Sequence, residues 1–143
     1  MELRRTGQAT NQAFVAMWFD RQMDEAFTAG IEPALRDAGY DPYRIDRTEQ
    51  NNRIDDEIIA AIRRSGLLVA DFTGSRGGVY FEAGFAMGLG IPVFWTVRSD
   101  SIASLHFDTR QYPHVVWDTP ADLREKLSRR VLAVVGRGTS PPS

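Results

Sequence analysis

The chain has no cysteine and only two histidines, His106 and His114. Without cysteine the protein forms neither a disulfide nor a thiolate metal site. Two histidines also offer little material for the other common metal sites. The sequence therefore predicts a protein that works without a metal or other cofactor.

The chain also lacks a large excess of charge and any long apolar run. Its 17 basic and 19 acidic residues give a formal net charge of −2, so the basic footprint of a nucleic-acid-binding protein is absent. No apolar run approaches the roughly 18 residues of a membrane span, and the polar N-terminus has no signal-peptide core. We expect a soluble cytoplasmic protein that binds neither a nucleic-acid polymer nor a membrane.

What the sequence does contain is an alternation of short, continuous apolar runs with longer amphipathic segments. Such runs are typical of strands buried on both faces of a parallel sheet. The predicted strands are 13–17, 40–45, 67–71, 92–97 and 115–117, and the predicted helices are 23–38, 54–64, 79–89 and 121–135. Proline at position 33 predicts a kink or restart in the first helix.

This alternation predicts an α/β fold. Five strands with right-handed crossovers favour a flavodoxin-like (Rossmann-like) sandwich with a mainly parallel sheet in the order 2-1-3-4-5. The length of 143 residues fits one domain. We place that domain at 13–135, after a flexible N-terminal arm at 1–12 and before a C-terminal tail at 136–143.

The most informative stretch is 67–90, LLVADFTGSRGGVYFEAGFAMGLG. It predicts a buried strand, a glycine-rich turn and an apolar helix whose one charged residue is Glu82. The carboxyl end of this strand would lie beside that of the first strand, which is where open α/β sheets bind ligands. We therefore expect Trp18 and Phe19 to face the loop 71–78 across a crevice.

Two carboxylates are candidates for catalysis at this crevice. Glu82 is isolated in an apolar helix, as a nucleophile at the anomeric carbon of a sugar would be; alternatively it caps the loop amides or pairs with Arg76. Asp56 begins the second helix and is the candidate group that assists the leaving base. Alternatively, Asp56 is one of several first-turn acids that favour the helix dipole.

Ten further residues are candidates for binding a nucleotide. They are Trp18, Phe19, Asp71, Ser75, Arg76, Gly77, Gly78, His106, Asp108 and Arg110. The loop 75–78 would hold a 5′-phosphate on its amides and guanidinium, unless it is a plain surface turn. Trp18 and Phe19 would stack on a base, or else pack in the core. Asp71, which ends the strand, would contact the sugar or else form a turn. The segment 106–112 would close over the ligand, or else be a solvated loop.

The segment VADFTGSRGGVYFEAGFAMGLGIPVFW resembles the nucleoside 2-deoxyribosyltransferase family and its nucleotide N-glycosidase relatives. The resemblance extends over 14–97 and is most specific at 78–90. It implies that Glu82, in YFEAGFA, is the nucleophile. It also implies that Asp56, or its neighbour Asp55, acts on the leaving base.

The resemblance further implies that Ser75 and Arg76 bind the 5′-phosphate. Two stretches depart from the family pattern. The segment 17–20, MWFD, stands where transferases have a Gly-Pro-like turn and a catalytic tyrosine, and Ser75-Arg76 stands where they often have an acid. Both differences favour hydrolysis, or a nucleotide substrate, over strict transfer between nucleosides.

The sequence therefore predicts an enzyme that cleaves the N-glycosidic bond of a nucleotide or nucleoside, as an N-glycosidase or a deoxyribosyltransferase. One alternative is a non-catalytic nucleotide-binding sensor or interaction module. Another is an NAD hydrolase resembling Toll/interleukin-1-receptor-like domains, which share the broader superfamily. Family analogy also predicts a homo-oligomer, a dimer or higher, with 79–89 and 99–112 as candidate contacts.

Overall fold

The computed structural model describes residues 10–45, 56–105 and 113–140. These residues form an α/β fold with one parallel, five-stranded sheet in the order β2-β1-β3-β4-β5. The strands are β1 Gln12–Ala16, β2 Asp41–Tyr43, β3 Leu67–Asp71, β4 Val93–Arg98 and β5 His114–Trp117. The predicted fold class and strand order are confirmed.

Helices cover both faces of this sheet. They are α1 Asp24–Ala26, α2 Glu32–Asp37, α3 Asp56–Arg63, α4 Gly77–Gly88 and α5 Pro120–Val135, with 3-10 helices at Arg21–Met23 and Ser99–Ser104 and a π-helical turn at Phe27–Ile31. Within the described ranges, no helix is long and apolar enough to cross a membrane.

The central strand β3 is buried along its whole length. The register pairs its Val69 with Val15 of β1 on one side and with Phe94 of β4 on the other. A strand with a neighbour on each side and helices over each face has no side left for solvent. This is why the runs that form β1, β3 and β4 are mainly apolar instead of alternating.

Alternate residues of the strands point to opposite faces and divide the interior into two cores. Val15 and Val69 belong to the core shared with α2 and α5, where Leu127 is one of the buried side chains. Phe14 and Leu68 belong to the core shared with α3 and α4. The sheet is therefore the layer that separates the two cores, and its carboxyl edge lies between two helical layers.

The helix predicted at 23–38 is interrupted close to Pro33, as expected. The interruption is a π-helical turn at Phe27–Ile31, in which the Glu32 N–H donates to the carbonyl of Phe27. Proline has no N–H to donate, and its ring crowds the carbonyl four residues earlier. A wider turn just before Pro33 is one of the ways in which a helix accommodates this disturbance.

Residues 136–140 of the tail lie against the turn between α2 and β2. The Gly138 N–H donates to the Ala38 carbonyl at 2.8 Å, and the Ser140 N–H donates to the Gly39 carbonyl at 3.1 Å. The two glycines meet backbone to backbone, since a Cβ on Gly138 would lie 2.1 Å from the Gly39 carbonyl oxygen. Docking of this part of the tail therefore requires a residue without a side chain at position 138.

We expect Gly138→Ala to lower the free energy of unfolding by about 1–3 kcal/mol, the usual cost of forcing extra atoms into a filled site. Chemical denaturation followed by circular dichroism measures this change. Gly77→Ala is the matched control, because a Cβ on Gly77 meets nothing within 4 Å. An unchanged stability of the Gly138 variant would contradict the docked position of the tail.

Candidate functional site

The carboxyl ends of β3, β4 and β5 are joined by one carboxylate, that of Asp71, which has no exposed surface. Its Oδ2 accepts hydrogen bonds from the Thr96 hydroxyl at 2.5 Å and from the Trp117 indole Nε1–H at 2.9 Å. Its Oδ1 accepts the Thr73 N–H at 3.0 Å. Burying a carboxylate is costly unless donors surround it. Asp71 meets this condition by tying three neighbouring strands together.

The loop that follows Asp71 is fixed by contacts with the end of β4 and the segment after it. The Thr73 hydroxyl accepts the Arg98 N–H at 2.9 Å, and the Ser75 hydroxyl donates to the Ser104 carbonyl at 2.5 Å. Ser75 itself has a φ of +48°. A residue with a side chain is uncommon in this left-handed region. The turn between β3 and α4 therefore has a defined shape that its neighbours maintain.

Trp18, which follows β1, covers this loop. A Cβ on Gly74 would lie 2.5 Å from Trp18 Cε3, so the indole ring rests directly on the Gly74 backbone. The guanidinium carbon of Arg76 lies 4.5 Å from the centroid of the same ring, which is within the range of a cation–π contact. The ring of Trp18 thus lies directly against the loop that we expected it to face across a crevice.

Phe19 is half-buried and contacts a different part of the chain. The guanidinium carbon of Arg44 lies 4.6 Å from the ring centroid of Phe19 and 4.8 Å from that of Phe27. Both aromatic rings are therefore engaged by one arginine. In this structure Phe19 connects the segment after β1 with the segment after β2 and the π-helical turn.

Arg98, at the end of β4, bridges two segments across the same edge of the sheet. Its Nε donates to the Asp100 carboxylate at 2.7 Å, and its Nη2 donates to Gln22 Oε1 at 3.1 Å. The pKa of Asp100 lies below its ordinary value, chiefly because Arg98 donates this hydrogen bond. Gln22 belongs to the 3-10 helix after β1, so Arg98 helps to close the carboxyl edge of the sheet.

The two predicted catalytic carboxylates lie in different surroundings. Glu82 has no exposed surface and shares the buried side of α4 with Val79, Ala83 and Ala86. Asp56 is exposed and is the first described residue of α3, where an acid stabilises the helix dipole. The position of Asp56 agrees with the alternative that we gave for it, stabilisation of the helix dipole by a first-turn acid.

The other predicted site residues fall into two groups. Gly77 and Gly78 lie in the first turn of α4 and not in the loop, while Ser75 and Arg76 directly precede that helix. Four predicted residues lie outside the described ranges: Asp55, His106, Asp108 and Arg110. Within those ranges, no three histidine, aspartate or glutamate side chains come together as a metal site would require.

The residues that hold Asp71 were not predicted from the sequence. Thr96 is a polar residue inside β4, VFWTVR, which otherwise is apolar up to its last residue, Arg98. The register pairs Thr96 with Asp71. Trp117 is the last residue of β5 and pairs with Arg98, the last residue of β4. The available signal was a polar residue in a buried strand, together with the rule that parallel strands end at the same edge.

No family model and no curated protein matches the chain. Among solved structures, the chain is similar to the crystal structure of the anti-anti-sigma factor PhyR from Bartonella quintana, with a TM-score of 0.50 and 17% sequence identity. The similarity covers 90% of this chain and 49% of that chain. The chain therefore spans about half the length of the PhyR structure, and at this identity the two share a fold and nothing finer.

These comparisons contradict the predicted family and function. By its title the similar structure is an anti-anti-sigma factor, not a nucleoside 2-deoxyribosyltransferase. The assignment to that family, the N-glycosidase or deoxyribosyltransferase activity and the enzyme class are therefore wrong. The predicted nucleotide partner has no support from these findings.

The burial of Glu82 gives a physical reason for this error. The motif YFEAGFA was interpreted as a catalytic element because it resembles the nucleophile element of that family and because Glu82 is the one charged residue of an apolar helix. Small residues at Ala83 and Ala86, on the buried side of α4, also serve the close packing of a helix on a sheet. The same pattern thus arises from packing alone.

We expect Asp71→Ala to lower the free energy of unfolding by about 3 kcal/mol or more, because each buried donor left without an acceptor costs on the order of 1–3 kcal/mol. Denaturant titration followed by the fluorescence of Trp117 and the other tryptophans measures the loss. Asp100→Ala, which removes an exposed aspartate, should change stability by less than about 1 kcal/mol. Equal effects of the two substitutions would contradict the role of Asp71.

Proposed function

We propose that this chain is a non-enzymatic protein-interaction module that associates with a second copy of itself through the outer face of α4. We define this outer face by Phe81, Gly84, Phe85, Met87 and Gly88. The proposal rests on the exposed apolar surface of this helix. It places the docking surface away from the carboxyl edge of the sheet.

The outer face of α4 is apolar although much of it is exposed. Phe81 is 49% exposed and Met87 is 42% exposed. The only charged residue of the helix, Glu82, is on its buried side. Helices at a protein surface normally carry polar or charged residues on the outer side. An exposed apolar patch of this kind is typical of a site where another protein binds.

The shape of the outer face is also complementary to a second copy of the same helix. Phe81 and Phe85 lie one turn apart, and their rings are stacked with centroids 6.2 Å apart. Gly84 and Gly88 also lie one turn apart, and a Cβ on either one would meet nothing within 4 Å. The aromatic pair forms a ridge and the glycine pair leaves a hollow on the same helix.

Two antiparallel copies of α4 would place the ridge of each helix over the hollow of the other. Such an interface has two-fold symmetry, in which one patch serves both partners. The outer face of α4 carries no charge of its own, and the guanidinium carbon of Arg63, on α3, lies 5.8 Å from the ring centroid of Phe85 at its border. Because α4 has 12 residues, its length is about 18 Å at 1.5 Å per residue, and we expect a reversible dimer.

Support of a different kind comes from the similar structure. Its title names an anti-anti-sigma factor. That function belongs to PhyR, and this chain shares only the fold with it. It nevertheless supports a regulatory module as the general class of function. A cytoplasmic location stays a prediction from the sequence.

We expect Gly84→Glu to weaken dimerisation at least about tenfold, because the new carboxylate enters the hollow and faces its own copy across the two-fold axis. The same substitution should stabilise the isolated fold by about 0.5–1 kcal/mol, since glycine is a poor helix former. Sedimentation velocity over a concentration series measures the first effect, and thermal unfolding of the dilute protein measures the second. Weaker dimerisation together with higher stability of the monomer indicates a lost interface, whereas a damaged fold would lower both.

Val134→Glu is the matched control, because it adds the same charge at an apolar residue that is 60% exposed on α5. It should leave the monomer–dimer equilibrium unchanged. A wild-type protein that stays monomeric up to about 1 mM, where any association would be worth less than about 4 kcal/mol, would overturn the second copy as partner. If Gly84→Glu and Val134→Glu weaken dimerisation equally, the outer face of α4 is not the interface.

A further inference from the structure

The strand β5 has a neighbour on only one side. It is the last strand in the sheet order, and among the described residues no strand pairs with its other edge. The Val116 carbonyl accepts a hydrogen bond from Lys126 Nζ at 2.8 Å, which marks this carbonyl as part of the outer edge. The N–H and C=O of one residue point to the same side of a strand, so the Val116 N–H also faces outward.

A groove of about 460 Å³ lies beside this edge, between β5 and α5. We call it the β5–α5 groove. Its apolar part consists of Val115, Val116 and Ala133, and its basic part consists of Lys126, Arg129 and Arg130; His114 also lines it. The groove thus combines backbone groups of a strand edge, a small apolar floor and a row of cations.

The cations of this groove are only partly compensated by neighbouring acids. Lys126 lies 3.3 Å from Asp122, and Arg129 lies 2.9 Å from Glu125, in both cases one helical turn away. These side chains are substantially exposed, so the pairs are weak and exchange readily with other anions. Within the described part of the chain, Arg130 has no acid beside it. The groove therefore has an excess of positive charge.

We infer that the β5–α5 groove binds an acidic, extended segment of a partner protein, which adds to the sheet as a strand beside β5. An N–H of the segment would take the place of the Lys126 ammonium on the Val116 carbonyl, and a carbonyl of the segment would accept the Val116 N–H. Lys126 is then released to pair with a carboxylate of the segment. Strand addition of this kind is a recurring mode of peptide recognition.

The chemistry of the groove favours a peptide over a free anion. Alternate side chains of an added strand point to one face of the sheet, so acidic residues at every second position would all reach the α5 side. There they meet the cations of α5, while the backbone satisfies the edge of β5. A small anion would use the cations and leave both the edge and the apolar floor unused.

Lysine at a sheet edge also has a protective use, since it discourages unspecific pairing with other strands. The two uses are compatible, because a flexible and exposed ammonium group is easily displaced. The protective use alone explains Lys126, but it does not explain the further cations Arg129 and Arg130 on the next turn of α5.

The test uses a fluorescein-labelled heptapeptide of alternating glutamate and valine, whose binding to the full chain is followed by fluorescence anisotropy. Arg130→Glu should weaken binding at least about tenfold, because it replaces a rim cation with an anion. Arg21→Glu, which makes the same charge change at an exposed residue in the 3-10 helix after β1, should leave binding unchanged. Hydrogen exchange at the Val116 amide should slow on peptide binding.

Two further probes distinguish strand addition from simple charge attraction. The first probe is the same peptide with N-methyl groups at every second residue, on the edge that would pair with β5. It keeps its carboxylates but loses the backbone N–H groups that would pair with β5, so it should not bind. Inorganic phosphate at the ionic strength of the assay should not compete. Binding of the methylated peptide, competition by phosphate, or no binding of the parent peptide would each overturn the proposal. Circular dichroism of each variant confirms that it is folded.

Discussion

The arrangement of the carboxyl edge of the sheet depends on the burial of Asp71. Its carboxylate accepts hydrogen bonds from Thr96 and Trp117, which belong to β4 and β5, and from the N–H of Thr73 in the following loop. A carboxylate without exposed surface is stable only if donors replace the water that it has lost. The ends of three strands and the start of one loop must therefore keep their mutual positions. The further contacts of this edge, through Arg98 and Ser75, are built on that arrangement.

A consequence is that the described parts of the carboxyl edge of the sheet, where open α/β sheets usually bind ligands, pack against one another. Trp18 rests on Gly74, and the Arg98 side chain reaches Gln22 across the same edge. Among the described residues, two accessible surfaces lie away from this edge: the outer face of α4 and the β5–α5 groove. The first is apolar and the second is basic with an exposed strand edge. These are properties of surfaces that contact other proteins, and they agree with a module whose fold supports binding instead of catalysis.

The residues that misled the functional prediction show the limits of a local motif. Glu82 stands alone among apolar residues in the sequence, as a nucleophile would, but the structure buries it on the side of α4 that carries Ala83 and Ala86. Asp56 has the exposure of a helix-terminal acid. Sequence spacing determines which side of a helix a residue occupies, yet it does not determine whether that side faces a cavity or a packed sheet. The distinction between a catalytic and a buried carboxylate is therefore not local.

The sequence by itself determined the order and type of the elements and the order of the strands. Continuous apolar runs separated by helical periodicity require a parallel sheet covered on both faces, and this requirement comes from local patterns and short connections. Only the tertiary structure decided the partners of Asp71, which lie 25 and 46 positions away in the chain, the contact of Trp18 with Gly74, and the contact of Gly138 with Gly39. Those pairings depend on strand register and on backbone approach to within a fraction of an ångström. Such distances follow from the packing of all elements together and leave no periodic trace in the sequence.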